Sequence, residues 1–361
     1  MSTSRPAPGT LEADIRAQAA AYTALADHAA GSWAPSIDRA LRSGFGRVVL
    51  TGMGSSYFAA LAAERWLDRR GVPARARLAS ELLHDGPPPA ASDLVVAVSQ
   101  SGGSIETVRV LHLAAEAGAT TLVVTRDPGS PAAAAADSVM PLDIPPDHGV
   151  AVKTFGASLL ALRSLADGLT GKPAGVTRGS VGSLALVPEE PARGIGSGLV
   201  VTAAVALARG RLGPVAREGA LLINEVANLP GWAEDPGQFR HGIIELAGPE
   251  VLAILLVGNG PGASMQIGLA EELRRTRARV VAIVPAGLAG RLTDAGAQVI
   301  PVPEVARPVD ALAHVICLQW LALGMAEARG VEPGRFRFAQ EVVRSEAGAP
   351  EPVARADVES A

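Results

Sequence analysis

Short apolar runs rich in β-branched residues alternate with amphipathic segments along this 361-residue chain. In the first half, the runs GRVVLTG, DLVVAVSQ and TTLVVT are separated by segments with helical spacing, such as YFAALAAERWLDRRG. Runs this short predict strands that are buried on both faces, and helices between them predict βαβ units. The alternation therefore predicts an α/β fold of parallel sheets, each covered by helices on both faces.

The alternation of short apolar runs with helical segments is interrupted once and then resumes. Residues 171–194 are rich in Gly, Ser and Pro, and they are followed by the runs SGLVVTA, EVLAILLVG and RVVAIVP. The segment 11–31 has helical composition, and Gly31 is the expected C-cap. We therefore predict two α/β domains of similar build, related by duplication, within five segments: an N-terminal helical segment 1–40, a first domain 41–170, a linker 171–194, a second domain 195–330 and a C-terminal tail 331–361.

Composition excludes several classes of protein. The chain is 48% hydrophobic and 19% charged, which suits a globular protein with large cores. A net charge of −4 argues against nucleic acid or an anionic membrane as partner, and no apolar run approaches the ~20 residues of a membrane helix. The N-terminus lacks the features of a signal peptide, and the single cysteine, Cys317, rules out a disulfide within the chain. We expect a soluble cytoplasmic protein.

Two predicted strands end in loops of small polar residues. One strand leads into GMGSSY and the other into SQSGGS. Glycines let the backbone approach a ligand, and the N-terminus of the following helix attracts an anion. Such residues also form ordinary turns and N-caps, but two such loops in one sheet favour a phosphate site built from hydroxyls and amides, with no Lys or Arg required. The candidate residues are Gly54, Ser55, Ser56, Ser99, Gln100, Ser101 and Ser104.

These loops resemble those of the double sugar isomerase (SIS) domain family, which includes the isomerase domain of glucosamine-6-phosphate synthases. The family has Gly-Thr/Ser-Ser-Tyr, Ser-Gln-Ser-Gly-x-Thr/Ser, Ser-Glu and Gly-Val-Ala segments, and the resemblance covers roughly residues 40–330. It implies two flavodoxin-like SIS domains that hold the phosphate of a sugar phosphate. It also adds Val150, in the Gly-Val-Ala segment, to the binding residues and Glu81, in the Ser-Glu segment, to the possible substrate contacts.

A second segment, REGALLINEVANLPGWAEDPGQFRHGIIEL, carries Glu218, Glu225 and His241. Taken alone, a glutamate on a helix and a histidine in a loop are most often solvated surface residues. The family pattern, however, has the same Glu-Gly-Ala-Leu-x-x-x-Glu and His-Gly with the same spacing. The resemblance implies that Glu225 moves the proton between C1 and C2 and that His241 opens the sugar ring, with Glu218 structural. It also implies a homodimer with composite active sites.

The chain departs from the synthase pattern in its tail, where Ala339-Gln340 replaces the expected Ala-Lys. The only lysines are Lys153 and Lys172; Lys153 and His148 lie beside the expected sugar site and are possible substrate contacts. No glutaminase sequence precedes the first domain, so we do not expect a complete synthase. No His, Cys and Asp residues have metal-ligand spacing, and we predict neither a metal nor a cofactor.

Four functions stay open. Three are enzymatic and share the first proton transfer: aldose–ketose isomerisation, deamination of an amino sugar phosphate, and cleavage of a fructosamine-type phosphate adduct by a deglycase. The missing tail lysine favours the last two. The fourth is a non-catalytic sensor of phosphorylated sugars, which the pairing of Glu225 with His241 disfavours because a sensor has little use for both.

Overall fold

The computed structural model describes residues 9–305, 309–338 and 342–344. The first half of the chain contains α1 (Leu11–Arg42), β1 (Arg47–Gly52), α2 (Ser55–Asp68), β2 (Ala74–Leu78), α3 (Ala79–His84), β3 (Asp93–Val98), α4 (Ile105–Glu116), β4 (Thr120–Thr125), α5 (Pro131–Ala135), β5 (Ser138–Pro141) and α6 (Lys153–Leu169). The second half contains α7 (Arg178–Gly182), α8 (Ala192–Ser197), β6 (Ala203–Ala208), α9 (Gly213–Ala227), β7 (Gly231–Glu234), α10 (Pro236–Phe239), β8 (Val251–Leu256), α11 (Ala263–Arg275), β9 (Arg279–Pro285), α12 (Ala289–Asp294), β10 (Gln298–Val302) and α13 (Asp310–Ala328).

The strands form two parallel five-stranded sheets, as predicted. The first sheet has the order β2-β1-β3-β4-β5, and the second has the order β7-β6-β8-β9-β10 when read from the matching end. Each element of the first sheet therefore has its counterpart in the second, which is the arrangement that a duplication produces. In both sheets the strand order reverses at one point, between β1 and β3 and between β6 and β8.

One hydrophobic core joins the two halves. Alternate residues of each central strand, such as Val48 and Leu50 in β1 and Leu252 and Ile254 in β8, belong to this shared core. The residues between them face the opposite side of each sheet, where separate smaller clusters form. Helices α9 and α13 of the second half contact each other, and α9 also contacts α2 of the first half. The packing therefore fixes α9 against the first sheet.

Helix α13 lies within this core. By length and composition alone it is the one helix of the described residues that is apolar enough to cross a membrane, yet 89% of its most apolar window is buried inside the protein. A buried core helix meets the same criterion, so the helix is weak evidence for a membrane span.

Three predicted boundaries are wrong. Helix α1 does not end at Gly31 but continues to Arg42, because its second half is held against β5: Trp33 Nε1 donates to the Pro141 carbonyl at 2.8 Å, and Ser36 Oγ donates to the Val139 carbonyl at 2.8 Å. The strand expected in SGLVVTA begins only at Ala203, at the end of that run.

The third error is β7, which lies in a segment predicted as a loop between Glu225 and His241. Asn224 explains why a strand forms there. Its side-chain oxygen accepts from the Gly231 N–H at 2.7 Å, and its amide donates to the Gly231 carbonyl at 3.1 Å. This pair of bonds holds the segment against α9, where it pairs with β6. The predicted linker 171–194 also contains α7 and the start of α8, which contact α1 and α13.

Candidate functional site

The carboxyl edge of the first sheet holds a cavity of about 340 Å³. Five of the residues predicted from sequence line it together: Gly54, Ser55, Gln100, Ser101 and Glu225. The first four come from the loops after β1 and β3, and Glu225 comes from α9 in the second half of the chain. The fold thus brings the two serine-containing loops and one candidate catalytic group to a single place.

Backbone hydrogen bonds fix the loop after β3. The Ser99 N–H donates to the Val124 carbonyl at 3.0 Å, and the Arg126 N–H donates to the Gln100 carbonyl at 3.1 Å. The Gly103 N–H donates to Ser101 Oγ at 3.2 Å. With its backbone so constrained, the loop presents the side chains of Gln100 and Ser101 to the cavity.

The loop after β1 depends on Gly54, whose φ of +52° favours glycine. Ser55 follows as the first residue of α2, and its Oγ donates to Glu218 Oε1 at 3.2 Å. Glu218 is 1% exposed, and burial raises the pKa of its carboxyl well above the ordinary value. The negative charges of Glu225 and Asp147 add to this rise, while the Ser55 hydroxyl opposes it. Glu218 is thus favoured in its neutral form and positions Ser55.

Glu225 lies near the C-terminus of α9, which ends at Asn228 in the left-handed conformation. Partial burial raises the pKa of its carboxyl to about 7, because the charged form loses hydration. The negative end of the helix dipole acts in the same direction. At neutral pH such a carboxyl exchanges protons in either direction, which is what a general acid–base group requires.

The structure adds two residues that the sequence reasoning did not select. Arg126, directly after β4, lines the cavity, and its Nε is buried without a hydrogen-bond partner among the described residues. The sequence analysis expected a phosphate site built from hydroxyls and amides, and Arg126 adds a guanidinium to the residues that line this cavity. The position of Arg126 in the sequence could have identified it, because it directly follows β4, and β4 ends beside β3 at the same edge of the sheet.

Asp147 is the second such residue. Its carboxylate accepts from the N–H groups of Val152, Lys153 and Thr154 at 2.9 to 3.0 Å, and from the Thr154 hydroxyl at 2.5 Å. It therefore caps α6 while lining the cavity. A carboxylate five residues before a helix is not a standard N-cap pattern, which is why sequence alone does not reveal it.

Four predicted binding residues lie next to the cavity without lining it. Ser99 is 2% exposed and its Oγ has no hydrogen-bond partner among the described residues. Ser56 is the second residue of α2, and Ser104 precedes α4 as its N-cap residue without a side-chain capping bond. Val150 is buried, while its neighbour Ala151 lines the cavity.

His241 and Glu81 lie elsewhere. His241 is exposed after α10, and it is not among the residues that line the cavity. Glu81 is in α3, with its carboxylate 3.6 Å from Arg77. Within one described chain, the predicted Glu225 and His241 pair is therefore not assembled in one cavity.

Lys153 and His148 both contact the buried carboxylate of Asp14. The Lys153 ammonium is 2% exposed, forms an ion pair with Asp14 and lies 3.4 Å from Asp147. His148 is exposed, and its Nδ1 lies 3.1 Å from Asp14. It lines a neighbouring cavity of about 820 Å³ that shares Asp147 with the first. The ammonium of Lys153 is thus held by two carboxylates, which favours a structural role.

The C-terminal tail covers the first cavity. Phe336 and Val342 line it, and the Val343 carbonyl accepts from the N–H of Ile105 at the start of α4 at 3.0 Å. The Ala339-Gln340 pair, where the resemblance placed a lysine, lies outside the described residues. Among those that are described, no group of three or more His, Cys, Asp or Glu residues is placed to hold a metal ion.

Comparison with known proteins agrees with this geometry. The family model of the SIS domain matches residues 43–167, which span the whole first sheet. Over these residues the chain is similar to a SIS domain. The chain is also 29% identical over 311 residues to the glutamine--fructose-6-phosphate aminotransferase [isomerizing] of Pyrococcus horikoshii, covering 81% of this chain and 51% of that protein. The chain thus spans about half the length of this curated relative.

Solved structures resemble the fold as a whole, including the second sheet. The C-terminal domain of glucosamine-fructose-6-phosphate aminotransferase from Francisella tularensis matches with a TM-score of 0.80 at 18% identity, covering 92% of this chain and 99% of that one. A glucosamine-6-phosphate deaminase from Thermotoga maritima matches with a TM-score of 0.73 at 20% identity, with the same coverage. At these identities the likeness establishes the fold of the chain.

Proposed function

We propose that the chain is a sugar-phosphate enzyme that moves a proton between C1 and C2 of a keto or amino sugar phosphate. The observation that carries the proposal is the first cavity, which joins a polar phosphate-type cradle to a carboxyl whose pKa is about 7. Phosphate binding and proton transfer are the two requirements of this chemistry, and residues suited to each line the same cavity of about 340 Å³.

The phosphate binds in the loops after β1, β3 and β4. Ser101 supplies a hydroxyl, Gln100 supplies an amide and Arg126 supplies a guanidinium. Ser55 lines the same cavity, with its hydroxyl donating to Glu218. Gly54 leaves room for the ligand beside the start of α2, where the helix dipole is positive. Ser56, Ser99 and Ser104 support these loops from positions next to the cavity.

Glu225 then acts as the base. Its carboxylate removes the proton at C2 of an open-chain aldose or 2-amino sugar, or at C1 of a ketose or fructosamine, and the resulting carboxylic acid returns a proton to the other of these two carbons. An enediol or enolamine forms between the two steps, and no cofactor is required. Partial burial is useful here, because it raises the proton affinity of the carboxylate towards that needed at neutral pH.

His241 completes the site from a second subunit. This part of the proposal is supported by its exposed position outside the cavity of its own chain. A two-fold homodimer places the α10 region of each subunit at the cavity of the other, where the imidazole transfers a proton to the ring oxygen. The second sheet is then the second SIS domain, within residues 195–330, and the enzyme works in the cytoplasm.

Among the enzymatic alternatives, deamination or deglycation is favoured over synthase-type chemistry. Lys153, the lysine nearest the cavity, is buried and held by Asp14 and Asp147, so it is not available as a free amine. Position 340 is glutamine. One protein of the same fold is the glucosamine-6-phosphate deaminase from Thermotoga maritima, which is consistent with this direction.

Proton exchange at C2 tests the proposal. The protein is incubated in deuterated solvent with fructose 6-phosphate, glucosamine 6-phosphate and a fructosamine 6-phosphate, and label at C2 or C1 is followed by NMR. Wild type is expected to exchange at least one of them, and Glu225→Gln is expected to slow the exchange by about 10²–10⁴-fold, the usual effect of losing a positioned general base. Glu271→Gln, an exposed glutamate on α11, is the matched control.

A sugar phosphate that binds tightly without exchange or product in the wild type contradicts the enzyme. That outcome favours the alternative function, a sensor of phosphorylated sugars. If Glu225→Gln exchanges the substrate proton at the same rate as wild type, the assignment of Glu225 as the base is contradicted, but the rest of the proposal is not.

A further inference from the structure

The carboxyl edge of the second sheet holds its own cavity, of about 350 Å³. It lies where β6 and β8 end, at the point where the strand order of that sheet reverses. The first cavity occupies the equivalent position at the ends of β1 and β3. Open α/β sheets bind ligands at this reversal point, so the second cavity, like the first, lies where a ligand site is expected.

The backbone around this second cavity suits an anion. The segment 258–262, Gly-Asn-Gly-Pro-Gly, leads from β8 towards α11, a helix of 13 residues. The three glycines leave the backbone open to close approach, and the first turn of the helix presents N–H groups that lack intrahelical acceptors. In the first half, the equivalent position carries the loop around Ser101.

Among the described residues, three arginines line the second cavity and no aspartate or glutamate does. Arg69 comes from the end of α2, and Arg209 and Arg211 follow β6. Two of the guanidinium groups lie against glycine: a Cβ on Gly210 would be 3.7 Å from Arg69 Nη2, and a Cβ on Gly258 would be 3.2 Å from Arg211 Nη2. Positive charge is therefore concentrated at the backbone opening.

This charge is only partly balanced within the chain. Arg211 pairs with Asp310 at 2.5 Å, whereas the Arg69 side chain forms no ion pair with a described residue. Arg209 Nε is buried and has no hydrogen-bond partner in the described part of the chain; its closest carboxylate, on Asp235, is 3.6 Å away. Its Nη1 donates to the sulfur of Met265, a weak acceptor, at 3.4 Å. Arg209 thus has an ion-pair partner in Asp235 but no hydrogen bond to a strong acceptor from Nε in the described part of the chain.

A neighbouring cavity of about 360 Å³ shares Arg211 and Asn259 with the second cavity. It is lined by Glu304, Asp310 and His314 among other residues, so its polar groups include carboxylates. Carboxylates accept hydrogen bonds from hydroxyl groups. The cleft as a whole therefore has a cationic end and an end suited to hydroxyls.

We propose that the second cavity is a separate binding site for a hydroxyl-bearing phosphomonoester, such as a hexose phosphate. The phosphate binds to Arg69, Arg209 and the loop 258–262, since guanidinium forks match phosphate oxygens. The hydroxyls extend past Asn259 into the neighbouring cavity. The volume lies within the range of small-molecule sites, about 300–1,000 Å³. This site is independent of the catalytic proposal for the first cavity.

Calorimetric titration with glucose 6-phosphate and, separately, with inorganic phosphate tests this site. The Arg69→Gln/Arg209→Gln variant is expected to lose one binding event, or to weaken its Kd at least tenfold, because two charge-assisted donors are removed. Arg75→Gln is the matched control, since Arg75 is an exposed arginine on β2 away from the carboxyl edges. Arg69→Gln alone is measured as well, because Arg69 is exposed and its loss leaves no buried partner.

The proposal is overturned if the double variant, folded by circular dichroism, retains every wild-type binding event at unchanged affinity. It is also overturned if inorganic phosphate binds the arginine site as tightly as glucose 6-phosphate, because then the hydroxyls contribute nothing. Arg126→Gln removes the event that belongs to the first cavity. Failure at one site is therefore distinguishable from failure at the other.

Discussion

Glu225 and Glu218 lie two helical turns apart on α9, and burial separates their behaviour. Glu218 is fully enclosed, and its pKa rises well above the ordinary value. Glu225 retains some exposure, and its pKa rises only to about 7. Burial therefore favours the neutral form of Glu218, which lies against the Ser55 hydroxyl, while Glu225 changes charge near neutral pH. The different depths of two residues on one helix face thus give the two carboxyls different proton affinities.

The raised pKa of Glu225 makes stability depend on pH. The ordinary pKa is 4.5 and the folded value is about 7, so the folded state binds the proton more tightly than the unfolded chain. The resulting stabilisation is fully present below pH 4.5 and is lost as pH rises through 7. Glu225→Gln is expected to be more stable than wild type by about 1–3 kcal/mol at pH 8, and this gain is expected to vanish at pH 4.

Urea denaturation at both pH values measures this difference. Glu271→Gln, with its exposed side chain, serves as the control and is expected to change little. A gain for Glu225→Gln that is equal at the two pH values contradicts the assignment of a raised pKa.

Arg126 provides a second prediction at this scale. Its guanidinium lines the first cavity and its Nε has no partner among the described residues, so a bound phosphate would supply the missing acceptor. Arg126→Gln is expected to weaken binding of a sugar phosphate by about 1.5–3 kcal/mol, the usual value for a hydrogen bond to a charged group. Ser104→Ala, beside the cavity, is expected to change binding less. Calorimetry on both variants decides this, and a larger loss for Ser104→Ala contradicts the placement.

At the scale of elements, the C-terminal tail and the loop before α6 are in close contact. Gly149 has a φ of +90°, and a Cβ at this position would overlap the Gly334 carbonyl oxygen. The loop thus approaches the tail as closely as two backbones allow. Together with the bond between Ile105 and Val343, this contact holds the tail over the first cavity.

Substitution of Gly149 by alanine is expected to displace the tail. The variant has backbone strain and a clash, whereas Gly171→Ala has a similar φ of +60° with nothing within 4 Å of the new Cβ. Strain alone amounts to about 1–3 kcal/mol, so Gly171→Ala is expected to lose that much and Gly149→Ala more. Hydrogen exchange at Ile105 is expected to accelerate only in Gly149→Ala. Unchanged exchange there contradicts the role of the contact.

The local sequence pattern was sufficient to predict some strands and helices and insufficient to predict others. The strands around Val49, Val95 and Val123 are apolar runs followed by glycine, serine or threonine, so periodicity alone predicts them. The extension of α1 beyond Gly31 depends on tertiary bonds from Trp33 and Ser36, which no local pattern contains.

The same distinction holds at the site. The loops around Gly54 and Ser101 follow strands directly, and the residues of each loop are close in sequence. Arg126 and Asp147 reach the cavity only through the order of strands and the packing of α6, so selecting them requires the topology. The exposed position of His241 within its own chain was likewise not accessible from sequence spacing.

At the scale of the whole molecule, the proposed dimer can be tested by mixing two inactive variants. Glu225→Gln and His241→Asn are each expected to lose most activity. If His241 acts in the cavity of the other subunit, heterodimers regain one intact site, and an equal mixture is expected to recover about a quarter of wild-type activity.

Subunit exchange is confirmed with differently tagged chains, and activity is measured by exchange at C2. The absence of recovery after verified exchange contradicts the composite site. So does a monomer by light scattering that retains full activity.

The first cavity is built from distant parts of the chain. Its loops come from the first sheet, Glu225 comes from α9, and Phe336 and Val342 come from the tail. During synthesis on the ribosome, the first sheet emerges well before the tail exists. The serine loops of a nascent chain therefore stay open to solvent at first, and the cavity closes only after translation has passed Val342.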